Sequence, residues 1–152
     1  FMQAAGEPMR LRFVKAPYGP YAENLRHVLN HIEGHFISGY GDAEDRPDKR
    51  IELNPEATET AERFLGRHAE TLQCFEEVAS LIEGFETPFG MELIATVHWV
   101  ATAEGAHSVT DAERAVYAWG NRKRMFKPEH IRVAWDTLEH KGWLQKPDEA
   151  RR

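Results

Sequence analysis

Cysteine is nearly absent from this chain. Cys74 stands alone, so no internal disulfide can form, which fits a reducing, cytoplasmic setting. No apolar run approaches the length of a membrane span. No signal-peptide pattern is read at the start; Phe1-Met2-Gln3 is expected to be the edge of a piece of a longer protein. Positive charge is in deficit. A formal net charge of −6 argues against a general binder of nucleic acid or membrane surfaces, because both partners are anionic. A Walker loop and a dinucleotide fingerprint are missing, and no Ser-His-Asp or Cys-His set can be assembled. No cofactor and no metal are therefore expected, and the chain is expected not to be an enzyme.

The 152 residues suffice for one domain with a sizeable core, expected to span residues 1–152. Charge is unevenly spread. Asp42 to Glu92 holds 14 acidic and 5 basic residues, a net of −9, and the remainder carries a net of +3. An acidic segment thus sits in a mildly basic frame.

Arg10–Ala16 alternates as a short strand, and Pro17–Pro20 turns the chain. A helix is expected over Tyr21–Glu33, with Tyr21, Leu25, Val28, Leu29 and Ile32 on one face and Gly34 as its stop. His35–Tyr40 and Ile51–Leu53 read as short strands around a polar turn. Asn54-Pro55 starts a helix that runs to about Gly66, and His68–Glu83 forms another. Thr87-Pro88 opens a helix that ends near Gly105 and buries Phe89, Leu93, Ile94, Val97 and Val100. Thr110 and Glu113 form a capping box for Asp111–Trp119. Pro128–His140 is the last helix, with Trp143 and Leu144 folding back as an extended piece. The fold class is mostly α (α+β), with a small N-terminal sheet and a winged-helix-like C-terminal third.

Several groups invite a functional reading. His27 and His31 lie four residues apart with Glu23 on the same side, a spacing that suits a metal. Val28 stands where a zinc protease needs glutamate, so a polar face is the better reading. The turn from Gly39-Tyr40-Gly41-Asp42 onward carries Asp42, Glu44, Asp45 and Asp48, which would repel phosphate and lack the calcium-loop pattern. It is a solvated turn or a partner-facing acidic loop. Arg122-Lys123-Arg124 with Lys127 could touch phosphates beside the last helix. That helix carries both signs of charge, so a solvated loop or an ion partner for the chain's own acids is favoured. Trp99, Trp119, Trp135, Phe64, Phe75 and Phe89 recur at helical spacings and read as core. Glu56, Glu59, Glu62 and Glu70 recur at about one or two turns. They form a solvated face unless a basic partner covers them.

The stretch KAPYGPYAENLRHVLNHIEGHFISGYGD, Lys15–Asp42, resembles the C-terminal domain of the DarG macrodomain antitoxins, partners of the DarT DNA ADP-ribosyltransferase toxins. The similarity is dense over these residues and elsewhere thins to a helical layout and the Gly142-Trp143 ending. The resemblance implies a chain that binds and blocks a DarT-like toxin, which modifies thymine in single-stranded DNA. The macrodomain that removes the modification would lie in the longer parent. The partner surface is expected to comprise Tyr18, Tyr21, Asn24, His27, Tyr40, Asp42, Glu44, Asp45, Glu56, Glu59, Glu62 and Glu70. The tyrosines would serve as rigid anchors, and the carboxylates would imitate a phosphate track in the toxin's basic DNA groove. The chain is expected to be a monomer, or a heterodimer with the toxin, with no direct nucleic-acid or membrane contact. The alternative reading is a winged-helix nucleic-acid-binding module using Arg122 to Lys127; a weaker one is a hydrolase using the histidine-carboxylate face.

Overall fold

The computed structural model describes residues 1–41 and 50–144. Among them are seven α-helices, one 3-10 helix and two antiparallel strand pairs. The short helix α1 (Met2–Ala5) is followed by a hairpin of β1 (Phe13–Ala16) and β2 (Gly19–Ala22). Ala16 pairs with Gly19 and Phe13 with Ala22, leaving Pro17 and Tyr18 as a two-residue turn. The first long helix, α2, therefore starts only at Leu25 and ends at Ile32. Tyr21 lies in a strand, not on a helix face, because pairing with Val14 claims its backbone.

The strands β3 (Ile37–Ser38) and β4 (Glu52–Leu53) form the second pair. Gly39 follows β3 with φ of +97°, and an added Cβ would run into the Arg50 carbonyl, so only glycine fits there. Next come α3 (Ala57–Leu65) and α4 (Ala69–Ile82), separated at Gly66. Pro55 lies outside α3, and Glu56 takes the position before it. Helix α5 (Pro88–Thr102) starts at the expected place: Thr87 Oγ1 accepts from Gly90 N at 3.0 Å. Gly90 lets this end approach Phe85, whose carbonyl oxygen would lie 2.6 Å from a Cβ. Helix α6 (Val109–Trp119) is capped by Ser108, which accepts from Asp111 N at 3.1 Å, rather than by Thr110. A 3-10 helix (Asn121–Met125) leads to α7 (Pro128–His140).

The core is built by α5, α6 and α7, joined by Leu81, Phe85 and Phe126. Leu93, Ile94, Val97 and Val100 share one side of α5 and are buried against Ile131, Ala134, Trp135 and Leu138 of α7. Strand β2 lies against α5, and α1 against α4. Trp143 and Leu144 form a turn, not an extended piece, and no strand follows Leu53 among the described residues. Among the described residues, the C-terminal third thus shows the helices of the expected layout and no strand that could form a wing. Phe64, Phe75 and Phe89, read as core from their spacing, are exposed, while Trp135 is buried.

Candidate functional site

The tyrosine corner is fastened to the helical core by alternating cations and rings. Trp119 Nε1 donates to the Ala16 carbonyl at 2.8 Å, fixing the end of β1. Lys15 Nζ lies 4.5 Å from the centre of the Trp119 ring and 2.7 Å from Glu104 Oε1. Glu104 also accepts from Trp99 Nε1 at 3.3 Å. On the other side of the turn, the Arg122 guanidinium carbon lies over the Tyr18 ring, 4.1 Å from its centre. Arg122 makes a two-pronged pair with Glu92, Nε to Oε1 at 3.1 Å and Nη2 to Oε2 at 2.8 Å.

Glu92 Oε1 also accepts from Lys123 Nζ at 2.7 Å, and the Lys123 side chain is 0% exposed. Burial would raise the Glu92 carboxyl, but the hydrogen bonds from Arg122 and Lys123 outweigh it and hold it below the ordinary value. Burial likewise pushes the Lys123 ammonium below the usual lysine value, against the pull of Glu92. Two of the four cations in the proposed nucleic-acid turn are thus committed to an internal carboxylate.

Tyr18 is 69% exposed, and Tyr21 is exposed too. Tyr21 OH donates to Glu23 Oε2 at 2.8 Å, which raises its phenol above the ordinary value. Asn24 is spoken for at both ends. Its Oδ1 accepts from Arg12 N at 3.0 Å and its Nδ2 donates to the Arg10 carbonyl at 2.9 Å, steadying the positive φ of Arg10. Asn24 therefore holds the approach to the hairpin rather than presenting a free amide. His27 and His31 are exposed on α2, which buries none of its residues. Among the described residues no group of three His, Cys, Asp or Glu side chains is placed to hold a metal.

Tyr40 is half-buried, and its N–H donates to Glu33 Oε2 at 3.2 Å beside Gly39 N to Oε1 at 3.0 Å. One carboxylate thereby gathers two backbone donors after β3, a role the sequence reading missed. Asp42, Glu44 and Asp45 lie outside the described residues. Glu56, Glu59 and Glu62 are exposed at the start and along α3, with Arg63 Nη2 2.7 Å from Glu59 Oε1. Glu70 is exposed on α4, a separate helix. The tyrosine corner and the acidic helices are thus not brought together by any hydrogen bond, ion pair or ring contact among the described residues.

Apolar exposure accompanies the acids. Leu53 is 70% exposed beside Glu52, and Ile51, Phe64 and Phe75 are exposed as well. Phe64 stacks on His68 with ring centres 3.9 Å apart. A two-residue strand and a solvated helix leave no periodic signal that could have marked these side chains as uncovered. No described helix is long and apolar enough to cross a membrane.

No family model matches the chain. A protein of Thermus aquaticus named DNA ADP-ribosyl glycohydrolase is 40% identical over 149 residues, 98% of this chain. Proteins of the same name from Mycobacterium bovis and Mycobacterium tuberculosis are 38% identical over 144 residues, 91% of this chain. The chain spans about two fifths, 41%, of the length of these curated relatives. The names correct the expectation of a protein that is not an enzyme, since each relative is named for a hydrolase. Over nearly its whole length, this chain is related to part of the DarG-like proteins named DNA ADP-ribosyl glycohydrolase.

Proposed function

We propose that the chain is the toxin-binding domain of a cytoplasmic DarG-type DNA ADP-ribosyl glycohydrolase. The activity named for the relatives is proposed for the whole protein, of which this chain forms a part. The domain, as a monomer or in a heterodimer with its partner, occupies the DNA groove of a DarT-like toxin and keeps substrate out. The observation that carries this reading is the mixture of exposed carboxylates and exposed large apolar side chains on β4, α3 and α4. Carboxylates alone would suit water. Leu53, Phe64 and Phe75, exposed on the same three elements, suit a partner that pairs with charge and covers rings together. A groove for single-stranded nucleic acid has that chemistry, with cations along the backbone and surfaces on which bases stack. Here Glu56, Glu59 and Glu62 stand in for phosphates.

The test is charge reversal. Changing Glu56, Glu59 and Glu62 together to lysine replaces attraction by repulsion and sets a cation against Arg63. Close interfacial charge pairs contribute about 1.5–7 kcal/mol, so a loss of at least about 100-fold in affinity for the toxin is expected. Slower association should dominate at low salt and fade as salt rises. Surface plasmon resonance with competing single-stranded DNA reads both effects, and circular dichroism checks the fold. Unchanged affinity, or DNA and this domain bound to one toxin molecule together, refutes occlusion by the acidic helices.

A further inference from the structure

We propose that Arg122 is a positioning residue that holds the Tyr18 ring ready for the partner. The proposal rests on the reading of the chain as a toxin-binding domain. Tyr18 occupies a two-residue turn and is 69% exposed, so its backbone is set by the hairpin while its ring projects into water. A ring in that place would ordinarily sample several rotamers, and docking would have to freeze it. The Arg122 guanidinium carbon, over the ring at 4.1 Å from its centre, restricts that sampling in advance.

Arg122 can do this because its guanidinium is itself held by two hydrogen bonds. Its edge N–H groups are taken by both oxygens of Glu92, whose side chain is 8% exposed. Glu92 is fixed in turn by the buried Lys123. A planar guanidinium can hold a carboxylate with its edge and a ring with its face simultaneously, which an ammonium cannot. The far side of the turn is held by Trp119 and Lys15, so the turn is fastened on both flanks. The basic turn thereby gains a purpose that needs no phosphate: it carries the order of the core out to an exposed aromatic anchor. Aromatic anchors of this kind dominate many interfaces, and ordering them beforehand strengthens binding without adding contacts.

The experiment uses the 152-residue chain and a DarT-like toxin from the same genome. Tyr18→Ala should weaken binding roughly 30-fold, as an anchor does. Arg122→Lys keeps the charge beside Glu92 and removes the stack, and should weaken binding about 3–10-fold through faster dissociation. In the Tyr18→Ala background, Arg122→Lys should add nothing. NMR relaxation of the free protein should show the Tyr18 ring more mobile in Arg122→Lys, with thermal stability close to the parent. Additive losses, an unaffected Tyr18→Ala variant, or unchanged ring motion would each overturn the positioning role while leaving toxin binding intact. A wild-type chain that binds no such toxin overturns the function and this inference together.

Discussion

Replacing Glu92 by alanine should destabilise the fold by about 3–5 kcal/mol, because it leaves a buried ammonium without its counter-charge. The Lys123 side chain is 0% exposed, and its Nζ lies 2.7 Å from Glu92 Oε1. The rings of Trp119 and Phe126 lie 5.3 Å and 5.6 Å away and offer only a weak substitute. Domains of ordinary stability hold about 5–15 kcal/mol in all, so the loss is a large fraction. At about 2–4 °C per kcal/mol for a domain of this size, Tm should fall by roughly 6–20 °C. Urea titration followed by circular dichroism measures the free energy. Combining Glu92→Leu with Lys123→Met removes both charges and should recover most of the loss. A Glu92→Ala variant within about 1 kcal/mol of the parent would show that Lys123 reaches water or loses its proton at little cost. The sign with pH follows from the lowered Glu92 carboxyl. Its contribution is complete at neutral pH and is lost as pH falls through the folded-state value, below the ordinary carboxylate range.

Burial lowers the His98 imidazole from 6.5 to about 4. Unfolded chains take up a proton before folded ones, so stability should fall by about 3 kcal/mol as pH drops from 7 to 4, and His98→Gln should flatten that part of a melting series. Gly39→Ala should cost at least about 1–2 kcal/mol in chemical denaturation, since the position has φ of +97° and a Cβ would meet the Arg50 carbonyl. Thr87→Ala removes the 3.0 Å cap on Gly90 N and should cost about 1 kcal/mol, read as a small fall in Tm.

Helix α7 runs from Pro128 to His140 as its sequence predicts, and α5 begins at the Thr87-Pro88 signal. Both carry a start signal, a stop and an apolar stripe that the same core buries, so local and tertiary preferences agree. The corner at Tyr18 behaves otherwise. Its helical spacing from Tyr21 onward is real, but pairing of Val14 with Tyr21 and Lys15 with Pro20 draws those residues into a hairpin. Strand pairing depends on a second segment, here the one just upstream of the turn, which a helical period read from Tyr21 onward does not report. Phe64 and Phe75 fail as core for a related reason: spacing says which side chains share a helix face, not whether another element covers it. The acidic character of α3 was legible because charge needs no tertiary context. The Glu92 pairing with Arg122 and Lys123 was not, since it joins residues 30 and 31 positions apart with no periodic trace.

The fifteen residues of the main buried cluster all lie from Leu81 onward, whereas Ala22, Ile37 and Ala57 are the buried apolar residues described before it. Synthesis runs in the opposite direction. The hairpin leaves the ribosome about a hundred residues before Trp119, the side chain that grips Ala16. At about 5–20 residues per second, that interval lasts roughly 5–20 seconds, far longer than a hairpin needs to form and melt many times. The tyrosine turn thus acquires its lasting shape only when α6 and the 3-10 helix have emerged. A ribosome that stops before residue 119 releases a chain in which β2 has α5 to lie on but Ala16 and the Tyr18 ring lack the side chains that hold them, which ties completion of this corner to the helices that follow α5.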